Sequence, residues 1–154
     1  MKDEFIRIFN QVILNREQLL DDCQLIKTTL GDTKALDTKI TKVTQELETI
    51  ELLAMQAIEE NKRKATNQEA WAAQHQEQLS QHDKLTKKLA DLEQQKQQKF
   101  SKATTIELFM QGLKQQKNAI TQFDEELWAM AVDWVTVDEN SGLSFTLKDG
   151  REVK

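Results

Sequence analysis

The stretch "LDTKITKVTQELETIELLAMQAIEEN", residues 36–61, carries apolar or small side chains at alternating steps of four and three residues. These positions are Leu36, Ile40, Val43, Leu47, Ile50, Ala54, Ala57 and Asn61. Such spacing is the a/d pattern of a coiled coil, in which one stripe of a helix packs against a partner helix. The sequence therefore predicts a long helix that needs a second helix beside it.

A second series with the same spacing follows the first. It consists of Trp71, His75, Gln78, His82, Leu85, Leu89, Leu92, Lys96 and Lys99. Between the two series, "KATNQEAW" interrupts the pattern, and Thr66 with Glu69 three residues later forms a capping box. The interruption predicts a tight turn near residues 64–67, after which the second helix begins.

A turn near residue 66 brings together residues whose numbers add up to about 132. Leu47 then faces Leu85, and every such pair joins an a position to a d position, as antiparallel packing requires. The sequence thus predicts an antiparallel coiled-coil hairpin over residues 33–101. Toward the turn its seam pairs small and polar side chains instead of aliphatic ones, so we expect weak packing there.

The regions on either side of this hairpin are predicted to form a small helical base. Apolar residues at helical spacing predict one amphipathic helix over residues 3–30. A second capping box, Thr104 with Glu107, predicts the start of another helix. The apolar stripe of that helix is Ile106, Phe109, Met110 and Leu113. We expect the two helices to pack together, so that residues 1–32 and 102–134 form the base.

The end of the chain changes from helical to strand periodicity. In "FDEELW", Asp124 suits a helix N-cap, and Phe123 with Trp128 suits a hydrophobic staple. After Trp134 apolar and polar residues alternate, with turn residues in "ENSG" and "KDG", which predicts a β-hairpin over residues 135–154. The predicted fold class is mainly α: a long antiparallel coiled-coil hairpin that projects from a small helical base, with a short C-terminal antiparallel β-hairpin.

Composition narrows the classes of function. The net charge of −5 and the low isoelectric point argue against a protein that binds nucleic acid mainly by electrostatics. The single cysteine, Cys23, cannot build a disulfide framework within the chain or a zinc site made of thiols. The N-terminal sequence has neither a signal peptide nor an apolar run of membrane-span length. We therefore expect a soluble cytoplasmic protein that does not bind a membrane.

No catalytic, cofactor or metal site is predicted, and no small-molecule substrate. His75 and His82 lie seven residues apart on one helix, a rise of about 10 Å, which is too far for both to bind one ion. The consecutive acids Asp124, Glu125 and Glu126 suit the N-terminal end of a helix, and that role explains them without catalysis.

The best candidate for a partner-binding surface lies near the predicted turn. "LLAMQAI", residues 52–58, is apolar nearly all round its helix, and such a patch usually meets another surface. The candidate residues are Leu52, Met55, Ile58, Arg63, Lys64, Trp71 and Leu79. Packing of these apolar residues against the chain's own helices is an equally open alternative. Lys148 and Arg151 are candidate contacts to DNA phosphate.

Two segments of the chain carry a resemblance to a known family. "FNQVILNREQLL" begins the similar region, and "FDEELW…V.V…G.L.F.LKDG" near the end is its most specific element. With the coiled-coil hairpin between them, these segments resemble the C-terminal portion of the large serine recombinases, which include site-specific integrases and transposon resolvases. The resemblance covers nearly the whole chain.

The resemblance implies a role in DNA recombination and integration by mobile genetic elements. In that family a coiled-coil arm inserted in a zinc-ribbon domain joins integrase subunits and sets the direction of recombination. The arm here would then contact other recombinase subunits or a directionality factor, and DNA would be bound only by the full-length protein. The chain would be a C-terminal fragment whose final hairpin closes onto a zinc-ribbon sheet outside it.

The chain also departs from the family pattern. No position matches the family's catalytic serine, so we expect no enzymatic activity, and the zinc-ribbon cysteines are missing, so zinc is expected only outside this chain. Two other functions stay open. The chain could be a free-standing coiled-coil scaffold or adaptor unrelated to recombination, or it could bind DNA directly with an affinity that falls steeply with salt.

Overall fold

The computed structural model describes residues 1–64, 67–137 and 142–154 of the chain. In chain order its elements are α1 (Lys2–Leu14), α2 (Arg16–Gly31), α3 (Lys34–Arg63), α4 (Gln68–Gln115), α5 (Glu125–Ala131), β1 (Val132–Val137), β2 (Leu143–Leu147) and β3 (Glu152–Val153). Most described residues are helical, and the strands form one small antiparallel sheet near the end. This confirms the predicted mainly α fold class with long helices and a short C-terminal antiparallel sheet.

The chain divides into two compact units. The hairpin unit is Asp32–Gln98 and contains α3 with the first part of α4. The terminal unit combines Met1–Gly31 with Lys99–Lys154, and it contains α1, α2, the last part of α4, α5 and the three strands.

In the hairpin unit, α3 and α4 run antiparallel. Asp37 Oδ1 lies 2.6 Å from Lys96 Nζ, and Glu51 Oε1 lies 3.0 Å from His82 Nε2. The residue numbers of both pairs add up to 133, within one of the predicted sum. One apolar cluster joins the two helices: Leu36, Ile40, Val43, Leu47, Leu85, Leu89 and Leu92. The antiparallel register predicted from the sequence is confirmed in the described part of the hairpin.

A side chain next to the predicted turn caps the second helix of the hairpin. The side-chain Oδ1 of Asn67 accepts hydrogen bonds from the backbone N of Glu69 at 3.0 Å and of Ala70 at 3.2 Å. Asn67 is therefore the N-cap of α4, as expected for an asparagine before a helix. Thr66, which the sequence predicted as this cap, lies outside the described residues, as does residue 65 of the predicted turn.

The prediction that Thr104 and Glu107 start a new helix is wrong, because α4 runs unbroken through both positions. The hydroxyl of Thr104 donates to the carbonyl of Phe100 one turn earlier, and Glu107 forms an ion pair with Lys27 of α2. Residues 68–111 contain neither Gly nor Pro, so no residue type that readily breaks a helix interrupts this one.

The predicted single helix over residues 3–30 is two helices, α1 and α2, separated at Asn15. Asn15 has φ −104° and ψ 21°, outside the α-helical region. Its side-chain amide donates to the carbonyl of Gln11 at 3.2 Å. Asparagine side chains compete with the backbone for such carbonyls, which weakens a helix interior. The local competition at Asn15 accounts for the break.

The terminal unit has one hydrophobic core, to which every one of its elements contributes. Its fully buried large side chains include Phe5, Ile8 and Phe9 from α1, Phe109 and Leu113 from α4, and Phe145 and Leu147 from β2. The apolar stripe predicted for residues 106–113 thus packs against α1, as expected from the sequence. Asn10 fixes the loop after α4, since its amide donates to the carbonyl of Ile120 and accepts from its backbone N.

Two local predictions for α5 are confirmed. The side-chain Oδ1 of Asp124 accepts hydrogen bonds from the backbone N of Glu126 and of Leu127, at 2.8 and 2.9 Å. Phe123, just before this N-cap, packs on Trp128 with 5.7 Å between ring centroids. This is the predicted hydrophobic staple. The Asp124 carboxylate therefore has a structural role at the start of α5.

The sheet is a three-stranded meander in the order β1-β2-β3. Its first strand begins at Val132, three residues before the predicted start, and a bulge follows that residue. The "KDG" turn is formed by Leu147 to Arg151, where Gly150 has a φ of +88° that favours glycine. Of the predicted "ENSG" turn, residues 139–141 lie outside the described part of the chain.

Candidate protein-binding surface

The seam of the hairpin changes character along its length. In the open-end half, residues 34–47 and 85–98, aliphatic side chains from both helices form the buried cluster. In the turn-side half, residues 50–64 and 67–82, the seam residues other than Ile50 and Trp71 are small or polar, and none of the residues in this half is fully buried. The weak packing expected near the turn is thus present in the described part of that half.

Three seam side chains of the turn-side half have buried polar atoms without a hydrogen bond partner in the described structure. They are Trp71 Nε1, His75 Nδ1 and Gln78 Oε1. The indole of Trp71 stacks on the imidazole of His75, with 5.1 Å between ring centroids and 8° between ring planes. A buried polar atom without a partner is unfavourable by about 1 to 3 kcal/mol, so this half of the seam is less stable than the aliphatic half.

A groove of about 350 Å³ runs between α3 and α4 in the turn-side half. Its apolar wall is formed by Ile50, Ala54, Met55, Ile58 and Leu79, and its polar residues are Glu51, His75, Gln78 and His82. We call this the α3/α4 groove. The side chains of Met55 and Leu79 are 66% and 46% exposed, so the groove presents apolar surface to solvent on both of its sides.

One carboxylate, that of Glu51, lines the α3/α4 groove and lies 3.0 Å from His82 Nε2. The other ring nitrogen of His82, Nδ1, lies 4.0 Å from the Asp83 carboxylate. No lysine or arginine is among the residues that line the groove. The lining therefore combines apolar side chains with one acidic residue and without Lys or Arg.

The structure brings only some of the predicted partner-binding residues together. Met55, Ile58 and Leu79 line the α3/α4 groove, as helical spacing and the antiparallel register would place them. Trp71 lines a different groove, with Ala57 and Asn61. Leu52 is exposed on α3 but lies outside the lining of the α3/α4 groove.

The predicted basic residues near the turn are exposed. Arg63 is the last residue of α3, and Lys64 follows it. Their neighbour Lys62 forms an ion pair with Glu59 at 2.8 Å. The structure does not bring Arg63 or Lys64 to the α3/α4 groove. Their assignment to a partner surface stays a prediction.

Both candidate DNA contacts pair with carboxylates of the chain itself. Lys148 Nζ lies 3.1 Å from Asp133 Oδ1, and Arg151 Nη2 lies 2.7 Å from Asp22 Oδ2. The hydrogen bond from Arg151 is the main reason that the pKa of Asp22 lies below its usual value. A phosphate would have to compete with these carboxylates, and DNA contact by these residues stays a prediction.

Cys23 is fully buried in the terminal unit. Its thiol lies 3.9 Å from the carboxylate of Asp149, a side chain only 2% exposed that also lies 3.6 Å from Arg151 Nε. Burial, and then the nearby Asp149 charge, raise the pKa of the Cys23 thiol to about 12. Cys23 is therefore an apolar core group rather than a reactive thiolate.

The contacts between Cys23, Asp149, Arg151 and Asp22 were not predicted from the sequence. Cys23 and Asp149 are 126 residues apart, and each belongs to a short local pattern that indicates nothing about the other. Only the three-dimensional packing of α2 against the turn after β2 joins them.

Within the described residues, no group of three or more His, Cys, Asp or Glu side chains is placed to hold a metal ion. The described helices also include none that is both long and apolar enough to cross a membrane. No model of a known protein family matches the chain, and neither a curated protein nor a solved structure matches it.

Proposed function

We propose that this chain is a protein-interaction module, and that its α3–α4 hairpin contacts other subunits or an accessory protein of a large serine recombinase. The observation that supports the interaction role is the α3/α4 groove, where exposed Met55 and Leu79 flank a seam that is not closed by aliphatic layers. Exposed apolar surface rimmed by polar residues usually marks a protein interface.

The recombinase context rests on the resemblance of residues 9–20 and 122–150 to the C-terminal portion of that family. In this proposal the chain is a non-catalytic C-terminal part of the enzyme and works in the cytoplasm. Its partners are other recombinase subunits and a directionality factor, with DNA bound only by the full-length enzyme. Zinc belongs to the part of the parent domain outside this chain.

A deletion within the parent recombinase tests this function. Residues 52–79 are replaced by a short glycine-containing loop of the kind that joins antiparallel helices, which removes residues 52–63 from α3 and 68–79 from α4 and leaves the aliphatic open-end half intact. We expect the shortened enzyme to bind its DNA site normally but to lose synapsis of two sites or the control of direction. Gel-shift and recombination assays measure the two properties separately.

If synapsis and direction were unchanged after this deletion, the proposed role of the hairpin would be wrong. A matched control replaces only Leu25 by Lys, since Leu25 is exposed in the terminal unit and lies outside the deleted segment. This control should recombine like the unaltered enzyme.

A second candidate is a free-standing coiled-coil scaffold or adaptor. It is favoured by the pairing of Lys148 with Asp133 and of Arg151 with Asp22, because these side chains then stabilise the chain itself and need no DNA. A resolvase-type reading frame directly upstream of Met1 supports the recombinase. An upstream sequence without such a reading frame supports the scaffold.

A further inference from the structure

We infer that the α3/α4 groove binds one amphipathic helix of a partner protein, and that the apolar stripe of this helix is flanked by Lys or Arg. The inference deepens the proposed interaction role, on which it rests, by naming the chemistry of the partner.

The shape of the groove favours a helix. Two antiparallel helices form its walls, and its lining extends over about two turns of each, from Ile50 to Ile58 and from His75 to His82. A third helix can lay apolar side chains between two such walls, in the way that helices join a coiled coil or enter a hydrophobic groove. Exposed Met55 and Leu79 lie on opposite walls and would contact it from both sides.

The polar groups of the groove favour a positively charged partner. Glu51 is the carboxylate of the lining, 3.0 Å from His82, and no Lys or Arg belongs to the lining. A Lys or Arg side chain beside the apolar stripe can donate to the Glu51 carboxylate and is attracted by its charge.

The same charges disfavour a second copy of this hairpin as the occupant. The exposed apolar surface on α3 is formed by Leu52, Leu53, Met55 and Ile58. Within one helical turn of it lie four acids and one base: Glu48, Glu51, Glu59, Glu60 and Lys62. If α3 of a second copy entered the groove, it would bring this excess of acids to the Glu51 carboxylate. Like charges brought together at an interface work against binding.

Two designed helical peptides test the inference with the full chain. Both carry the same stripe of leucines, and the flanking positions are Lys in one peptide and Glu in the other. Fluorescence anisotropy at physiological salt measures their binding. We expect the Lys peptide to bind at least about tenfold more tightly than the Glu peptide, because only the Lys peptide complements the Glu51 carboxylate of the lining.

Variants locate the binding site. Met55→Lys and Leu79→Lys change exposed side chains of the groove, and each should weaken the Lys peptide at least about tenfold. Leu52→Lys is the matched control, since Leu52 is similarly exposed on the same helix but lies outside the groove. It should leave binding unchanged. Glu51→Gln should reduce the preference for the Lys peptide over the Glu peptide.

Several results would overturn the inference. These are binding of neither peptide, equal binding of both, or an equal loss with Leu52→Lys and Met55→Lys. Self-association in sedimentation that Met55→Lys abolishes would identify a second copy as the occupant instead. Circular dichroism checks that each variant folds. If neither peptide binds but the deletion of residues 52–79 still abolishes synapsis, only the inference about the partner helix is wrong. If the Lys peptide binds as expected but the deletion leaves synapsis and direction unchanged, only the proposed recombinase role is wrong.

Discussion

Asp37 and Lys96 form an ion pair across the hairpin, with 2.6 Å between Oδ1 and Nζ. Glu51 and His82 form a second contact between the same helices, and both pairs have residue numbers that add up to 133. Because Asp37 and Glu51 are two heptads apart, one register holds from the open-end half into the turn-side half. This register is what places Met55, Ile58 and Leu79 around one groove.

The Asp37–Lys96 pair predicts a pH dependence of hairpin stability. Hydrogen bonds from Lys96, and then from Thr33, lower the pKa of Asp37 below its usual 3.8. A carboxyl whose pKa is lower in the folded state stabilises that state above its unfolded pKa, and the stabilisation disappears as pH falls through the folded pKa. Asp37→Asn should therefore unfold at a lower temperature than the unaltered chain at pH 7, and the difference should shrink as the pH falls below 3.8. Thermal unfolding followed by circular dichroism measures it.

Asp91→Asn provides the control for this pH dependence, because Asp91 is an exposed residue on the other helix of the hairpin. The effect of Asp91→Asn on the unfolding temperature should be small at every pH measured. If the effect of Asp37→Asn were the same at pH 2 and pH 7, the ion pair would not be the source of stability.

The register also predicts which cysteine pairs can be joined. In a chain with Leu47→Cys and Leu85→Cys, a short bis-maleimide should link the two helices, since both residues belong to one apolar cluster and face each other in the register. Leu47→Cys with Leu92→Cys is the matched control, shifted by about 10 Å along α4. Electrophoresis of protease fragments detects the link. Equal yields from the two pairs would contradict the register.

The seam was predictable because its pattern repeats over many residues. Alternating steps of four and three, followed from Leu36 to Lys99 through one interruption, leave a single antiparallel register. The cap at Asp124 and the staple of Phe123 with Trp128 were also predictable, because each depends on residues only a few positions apart.

Predictions that depended on competition between local signals were wrong. Thr104 and Glu107 have capping-box spacing, but a helix that already continues through them satisfies the Thr104 hydroxyl at the Phe100 carbonyl. At Asn15 the apolar pattern predicts a continuous helix, but α1 ends there. The Asn15 side chain donates to the backbone carbonyl of Gln11 and so competes with the helical hydrogen bonds. Neither outcome follows from periodicity alone.

The candidate site could be predicted only in part. Helical spacing identified Met55, Ile58 and Leu79, and the register brings them to one groove. Spacing alone could not separate Leu52, which lies outside that groove, or Trp71, which lines another. Whether a residue lines the α3/α4 groove depends on which side of the helix–helix seam it lies, and this is known only from the structure.

Replacing Gln78 should stabilise the hairpin. Its buried Oε1 has no hydrogen bond donor in the described structure, and Gln78→Leu would exchange it for an apolar contact in the seam. We expect the free energy of unfolding to rise by about 1 to 3 kcal/mol, which is the usual penalty of such an atom. Urea unfolding measures the change. The exposed Gln76→Leu is the control and should change stability by less than about 0.5 kcal/mol.

The same polar seam predicts faster hydrogen exchange in the turn-side half than in the open-end half. Amides of residues 50–61 and 68–82 should exchange sooner than those of residues 36–47 and 85–96. In Gln78→Leu the difference should become smaller. Uniform protection along both helices would show that the buried polar atoms do not weaken the seam.

Cys23 should react slowly in the folded chain. Its thiol is fully buried, and burial with the nearby Asp149 charge raises its pKa to about 12, so very little thiolate exists at pH 8. We expect Ellman's reagent to modify it only as fast as the terminal unit opens, and immediately in concentrated urea. An Asp3→Cys variant supplies an exposed thiol as the control. Rapid modification of Cys23 in the folded chain would contradict the buried placement.

Gly112 of α4 lies against Met130 of α5, and a methyl group added there would come within 2.7 Å of the Met130 side chain. Alanine favours a helix interior over glycine by about 1 kcal/mol, but the half-buried, flexible Met130 side chain has to move aside, which costs a similar amount. Gly112→Ala should therefore change the free energy of unfolding by less than about 0.5 kcal/mol in the unaltered chain. In a Met130→Ala background the clash is absent, so the same substitution should increase stability by about 0.5 to 1 kcal/mol. Urea unfolding of the four proteins measures this coupling, and an equal effect of Gly112→Ala in both backgrounds would show that the two residues do not touch.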